Sequence, residues 1–106
     1  MSGFTLDDLA AIVDARTASD AASSYTRSLL DKGSSRVAKK FGEEAVELVI
    51  AAVEGEKPAA VAEAADVVYH LLVLLRSLGI PLSEVLGELQ RRTAQSGHAE
   101  KESRSA

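Results

Sequence analysis

Arg36-Val37-Ala38-Lys39-Lys40-Phe41-Gly42-Glu43-Glu44-Ala45-Val46-Glu47-Leu48-Val49-Ile50-Ala51-Ala52-Val53 and, after a short break, Val61-Ala62-Glu63-Ala64-Ala65-Asp66-Val67-Val68-Tyr69-His70-Leu71-Leu72 decide the fold. Neither stretch has the alternation of a half-buried strand. An α-helix turns by about 100° per residue, so positions three and four apart share a face. In the first stretch Arg36, Lys40, Glu43, Glu47 and Glu54 then fall on one narrow stripe, with Glu44 at its edge. Val37, Phe41, Val46, Leu48, Val49 and Val53 occupy the other faces. In the second, Glu63, Asp66 and His70 share a stripe, surrounded by Val61, Val68, Tyr69, Leu71, Leu72, Val73 and Leu75. Helices apolar on most sides belong in the middle of a bundle or at a subunit interface. The break, about Glu54 to Lys57, is short enough to make the two helices antiparallel neighbours. That topology brings Glu44 and Glu47 towards Glu63 and Asp66.

The flanks supply the remaining helices. Thr5 followed by Asp8 predicts a capping box for a first helix whose stripe is Leu6, Leu9, Ile12 and Val13. Residues 17–35, rich in Ser, Ala and Thr, read as a connection with one helical turn around Tyr25 to Leu30. Ser34 or Ser35 is expected to cap the second helix, which runs to about Val53. Pro58 suits the first turn of a third helix, which ends at Gly79 before Ile80-Pro81. Ser83 is expected to cap a fourth helix through about Thr93. The expectation is one all-α domain over 1–106, of four to five helices, with an ordered core at about 4–95. Residues 96–106 form a polar tail, to be ordered by ligand.

Bulk properties narrow the function. The chain has 106 residues, 46% of them hydrophobic and only 4% aromatic, which favours close-packed helices over a sheet sandwich. A net charge of −4 argues against non-specific nucleic-acid binding. There is no cysteine, so disulfides and thiolate metal sites are excluded, which fits a reducing cytoplasm. The apolar run from Val67 to Leu75, interrupted by Tyr69 and His70, is too short to span a bilayer. The N-terminus lacks the basic and apolar regions of a signal peptide. A cytoplasmic protein bound to neither membrane nor nucleic acid is expected.

Glu43, Glu44, Glu47, Glu63 and Asp66 are the candidate catalytic residues. Carboxylates in an apolar setting must be paired, protonated or bound to a cation. An oxygen-only set favours Mg²⁺, with Mn²⁺ an alternative, over zinc. Such a cation characteristically completes its shell with phosphate oxygens. Arg36, Lys39 and Lys40, with Arg91, Arg92, Lys101 and Arg104, suit a phosphorylated substrate; each taken singly is equally a solubilising charge. Two plainer readings stand beside this one. The carboxylates can form a solvated face, or ion pairs with Arg36 and Lys40 in a non-catalytic helical interaction module. His70 reads as a hydrogen-bonded core histidine. No glycine-rich phosphate loop and no Ser or Cys nucleophile motif is present.

The pattern Glu-Glu-x-x-Glu followed by Glu-x-x-Asp resembles the all-α nucleoside triphosphate pyrophosphohydrolases. Ser24-Tyr25-Thr26, the run Arg36 to Glu47, Glu63 to Leu72 and Ser96-Gly97-His98-Ala99-Glu100-Lys101 narrow the likeness to phosphoribosyl-ATP pyrophosphohydrolase. The likeness spans Phe4 to about Arg104. It implies hydrolysis of phosphoribosyl-ATP between the α- and β-phosphates, the second step of histidine biosynthesis. By the same resemblance Glu44, Glu47, Glu63 and Asp66 hold Mg²⁺, and Glu43 is a further ligand or orients water. Arg36, Lys39, Lys40, Lys101 and Arg104 bind substrate. The resemblance also implies a homodimer, the stand-alone form without a fused cyclohydrolase. A pyrophosphohydrolase that clears noncanonical nucleoside triphosphates is the nearest rival, distinguished by the Ser-Gly-His-Ala-Glu-Lys tail.

Overall fold

The computed structural model describes residues 3–20 and 24–94. Among them are five helices and no strand: α1 (Leu6–Thr17), α2 (Tyr25–Asp31), α3 (Ser34–Val53), α4 (Lys57–Ser77) and α5 (Leu82–Thr93). The expected all-α class holds, with five helices at the upper end of the expected four to five.

Local chemistry sets the boundaries. The Thr5 hydroxyl accepts from the Asp8 amide at 3.1 Å while the Asp8 carboxylate accepts from the Thr5 amide at 2.9 Å. Both arms of the capping box are therefore made. At the end of α3, Glu56 N–H donates to the Ala51 carbonyl at 3.2 Å and Gly55 N–H to the Ala52 carbonyl at 3.1 Å. This Schellman pair needs a left-handed residue, and Gly55 has φ of 71°. Gly79 closes α4 in the same way.

Two expected caps are corrected. Gly33, not Ser34 or Ser35, precedes α3, at φ 94° and ψ 162° and with no side-chain cap bond. The glycine turn starts the helix one residue early, and the Ser34 hydroxyl donates instead to the Ser77 carbonyl at 3.3 Å. That contact ties the start of α3 to the end of α4. Pro81, in extended conformation, precedes α5 in place of Ser83, because its fixed φ already leads into the helix. The segment read as a connection holds a full seven-residue helix, α2. Its cap is Ser24, whose hydroxyl accepts from the Arg27 amide at 3.1 Å.

The antiparallel hairpin of α3 and α4 is the backbone of the fold, with α1 and α2 packed across it. Val13, Leu29, Val37, Leu72 and Val73 form the core, so each of the first four helices contributes to it. On α3, Val37, Glu44 and Ala51 recur every seven residues on one line, and both apolar members are buried. Glu44, at the edge of the acidic stripe, therefore lies on the face turned to α4. The opposite side of α3 is bare: Val46, Val49, Ile50 and Val53 are exposed, as is Val61 on α4. By length and composition α4, 21 residues with a mean hydropathy of 1.5 over an 18-residue stretch, could cross a membrane, which the apolar run alone did not suggest. It packs along α3 and carries Glu63, Asp66 and His70. Helix α5 buries no residue and adds only Leu82 to the margin of the core.

Candidate active site

Glu44 from the middle of α3 meets Glu63 and Asp66, one turn apart near the start of α4. One carboxylate oxygen from each lies within 4.8 Å of the others. Glu44 and Glu63 are half-buried and Asp66 is exposed. The cluster opens on a cleft of 940 Å³ lined also by Lys39, Lys40, Glu43 and Glu47. Glu47 thus joins the cleft as expected, and so does Glu43, both from exposed positions. Beyond Asp66 lies a second, apolar cleft of 640 Å³, walled by Phe4, Leu6, Leu9, Val68 and Tyr69.

Three like charges in this space are mutually unfavourable. The Glu63 carboxyl is pushed above its ordinary 4.5, by partial desolvation first, then by Glu47, Asp66 and Glu44. Lys40 Nζ lies 3.7 Å from Glu44 Oε1 and offsets part of that charge. The ion-pair alternative accounts for this one contact. It does not account for the Glu63–Asp66 side of the cluster, which no salt bridge among the described residues reaches. Such an arrangement could hold a hard cation with oxygen ligands: several carboxylates converge, two of them half-buried, with an open side for substrate oxygens.

The basic residues divide. Lys39 and Lys40 line the cleft; Arg36 is exposed on the first turn of α3 and does not. Arg91 and Arg92 grip Glu88, at 2.7 Å and 2.9 Å, and hold its carboxyl down at about 2. Lys101, Arg104 and the rest of the tail lie outside the described residues.

A network invisible in the sequence backs the cluster. His70 is buried, as expected of a core histidine, with Nδ1 2.7 Å from the Asp66 carbonyl oxygen and Nε2 2.8 Å from the Tyr25 hydroxyl. The Thr26 hydroxyl bonds to that of Tyr69, which also accepts from Arg16 at 3.0 Å. Desolvation pushes the Tyr25 phenol above 10.0; Lys40 opposes this, and Glu44, Tyr69 and Asp66 add to it. At neutral pH Tyr25 therefore remains a hydroxyl able to donate. The partners of Tyr25 and Thr26 lie more than 40 residues away in the chain. Only the Ser-Tyr-Thr motif hinted that this segment mattered.

Fold and carboxylate cluster together fit the class of all-α pyrophosphohydrolases that the sequence resembles. The profile of the phosphoribosyl-ATP pyrophosphohydrolase family matches residues 6–93, and the chain belongs to that family. It is 60% identical over 104 residues to phosphoribosyl-ATP pyrophosphatase 1 of Rhodopseudomonas palustris, covering 98% of this chain and 97% of that one. It is 60% identical over 100 residues to the phosphoribosyl-ATP pyrophosphatase of Azorhizobium caulinodans, covering 94% and 92%. The Methylobacterium radiotolerans enzyme of the same name is 57% identical over 104 residues.

Proposed function

We propose that this chain hydrolyses phosphoribosyl-ATP between its α- and β-phosphates, releasing phosphoribosyl-AMP and pyrophosphate in histidine biosynthesis. The convergence of Glu44, Glu63 and Asp66 on a cleft with two lysines carries the chemical reading. The names of relatives 57–60% identical over nearly the full length support the substrate.

Glu44, Glu63 and Asp66, with Glu47 beside them, would hold Mg²⁺ or Mn²⁺. Such a cation supplies Lewis-acid neutralisation of the phosphate charge and makes a nearby water more acidic. The protein's own part is positioning and electrostatics. Lys39 and Lys40 attract the polyphosphate and offset charge on the departing pyrophosphate. Glu43, exposed at the rim, would serve as a further ligand or orient the attacking water. The apolar cleft beyond Asp66 offers room for a heteroaromatic base beside this charged end. The tail bases Lys101 and Arg104 belong to the same proposal as substrate contacts, and so does Arg36.

The working form is a homodimer in the cytoplasm, with no membrane or nucleic-acid partner. Val46, Val49 and Val53, exposed at 57%, 59% and 82%, form a continuous apolar strip on α3. A second copy would cover it by an isologous contact. Incubation with phosphoribosyl-ATP and with noncanonical nucleoside triphosphates tests the substrate. Turnover of the latter alone would move the protein to nucleotide clearance.

A further inference from the structure

Ser24, Tyr25 and Thr26 pin α2 to its neighbours, but they do not share one task. Ser24 and Thr26 are buried, at 8% and 1% exposure, whereas Tyr25 stays 54% exposed. The Ser24 hydroxyl caps α2 and reaches the Arg16 carbonyl, and Thr26 bonds to Tyr69. Those contacts tie α2 to α1 and α4. Tyr25 instead reaches His70, whose ring stands edge-on between Tyr25 and Tyr69, with centroids 5.7 Å and 5.8 Å away. The Asp66 carbonyl can only accept, so His70 Nδ1 carries the hydrogen. In the neutral ring Nε2 then accepts from the Tyr25 hydroxyl. Two hydrogen bonds thus run from the surface of α2 to the main chain of the residue whose carboxylate joins Glu44 and Glu63.

We propose that Tyr25 is a positioning residue of the carboxylate cleft: acting through His70, it locks the Asp66 turn of α4 so that the Asp66 carboxylate stays aligned with Glu44 and Glu63. The inference rests on the reading of that cluster as a cation site. Outer groups that orient metal ligands commonly change cation affinity or activity by about 10–100-fold when removed. Tyr25 and His70 act as one unit, so either break in the chain has the same consequence.

The test compares the full-length protein with Tyr25→Phe, His70→Asn, their double variant and Thr26→Val. Asn keeps a donor near the position of Nδ1 but loses the partner of Tyr25. The readouts are the Mn²⁺ midpoint of thermal stabilisation, and kcat and KM for phosphoribosyl-ATP. Tyr25→Phe and His70→Asn are each expected to raise the Mn²⁺ midpoint about tenfold and lower kcat similarly, with KM little changed. The double variant should be no worse than the worse single one. Thr26→Val removes an equally local contact and should lower the metal-free melting temperature without moving the Mn²⁺ midpoint. A wild-type midpoint and kcat in Tyr25→Phe overturns the proposal, as does a midpoint shift of the same size in Thr26→Val. Should Tyr25→Phe fail to fold, His70→Gln decides, since it keeps a partner for Tyr25 and loses the donor to Asp66. If the wild-type protein itself gains no stability from Mn²⁺, the cation reading falls and takes this inference with it.

Discussion

Asp66→Asn separates a cation site from a structural cluster. The side chain is exposed and isosteric with its replacement, so metal-free folding is expected to change by no more than about 0.5 kcal/mol. Any change should be upward, because one of three anions within 4.8 Å is removed. The metal-bound state behaves differently. At free Mg²⁺ about 100-fold above Kd, binding to the folded state alone adds about 2.7 kcal/mol. At ~2.1 cal/mol/K of unfolding entropy per residue, a chain of 106 residues converts this into a rise of about 12 °C in Tm. A ligand loss that weakens binding about 100-fold leaves roughly 0.4 kcal/mol at the same concentration, or about 2 °C. Differential scanning fluorimetry in EDTA and in Mg²⁺ reads both quantities. A Mg²⁺ shift as large in the variant as in the wild type, or a variant that unfolds in EDTA, would rule out Asp66 as a cation ligand with no structural role.

Other consequences follow from the same structure. Because the Glu63 pKa is raised in the folded state, that state binds the extra proton. Metal-free stability should therefore fall as pH rises from about 4.5 through the folded Glu63 value, and saturating Mg²⁺ should flatten that slope in thermal melts. Glu88 runs the other way, and its arginine clasp should be lost as pH falls from 4.5 towards 2, visible as a separate acid limb that Glu88→Gln removes. Gly55→Ala forces a side chain into φ of 71° and should lower stability by about 1 kcal/mol, or about 4 °C in Tm. Under the proposed homodimer, Val49→Lys, at an exposed position, is expected to halve the mass measured by sedimentation with the fold kept; an unchanged mass would count against this strip as the interface.

The sequence made the hairpin legible because its signals are local and strong. The capping box at Thr5, the glycine at position 55 and apolar runs of helical period each act within a few residues. The meeting of Glu44 with Glu63 and Asp66 followed from one short connection. What the stripe could not give was the rotation of α3, since Val37 and Ala51 rather than the acidic residues choose which face is buried. Only one turn of α2 was legible, because seven residues hold too little periodicity and the residues that meet it on α4, Tyr69 and His70, lie far along the chain. The arginines of α5 looked like phosphate contacts in sequence, whereas Glu88, one turn away, engages both.

Product analysis reads the hydrolysis of phosphoribosyl-ATP itself. Purified protein is incubated with phosphoribosyl-ATP in the presence of Mg²⁺ or EDTA, and the products are resolved. Metal-dependent hydrolysis at the α–β bond should give equimolar phosphoribosyl-AMP and pyrophosphate with Mg²⁺ and neither in EDTA. Undiminished turnover in EDTA, or release of orthophosphate in place of pyrophosphate, contradicts it.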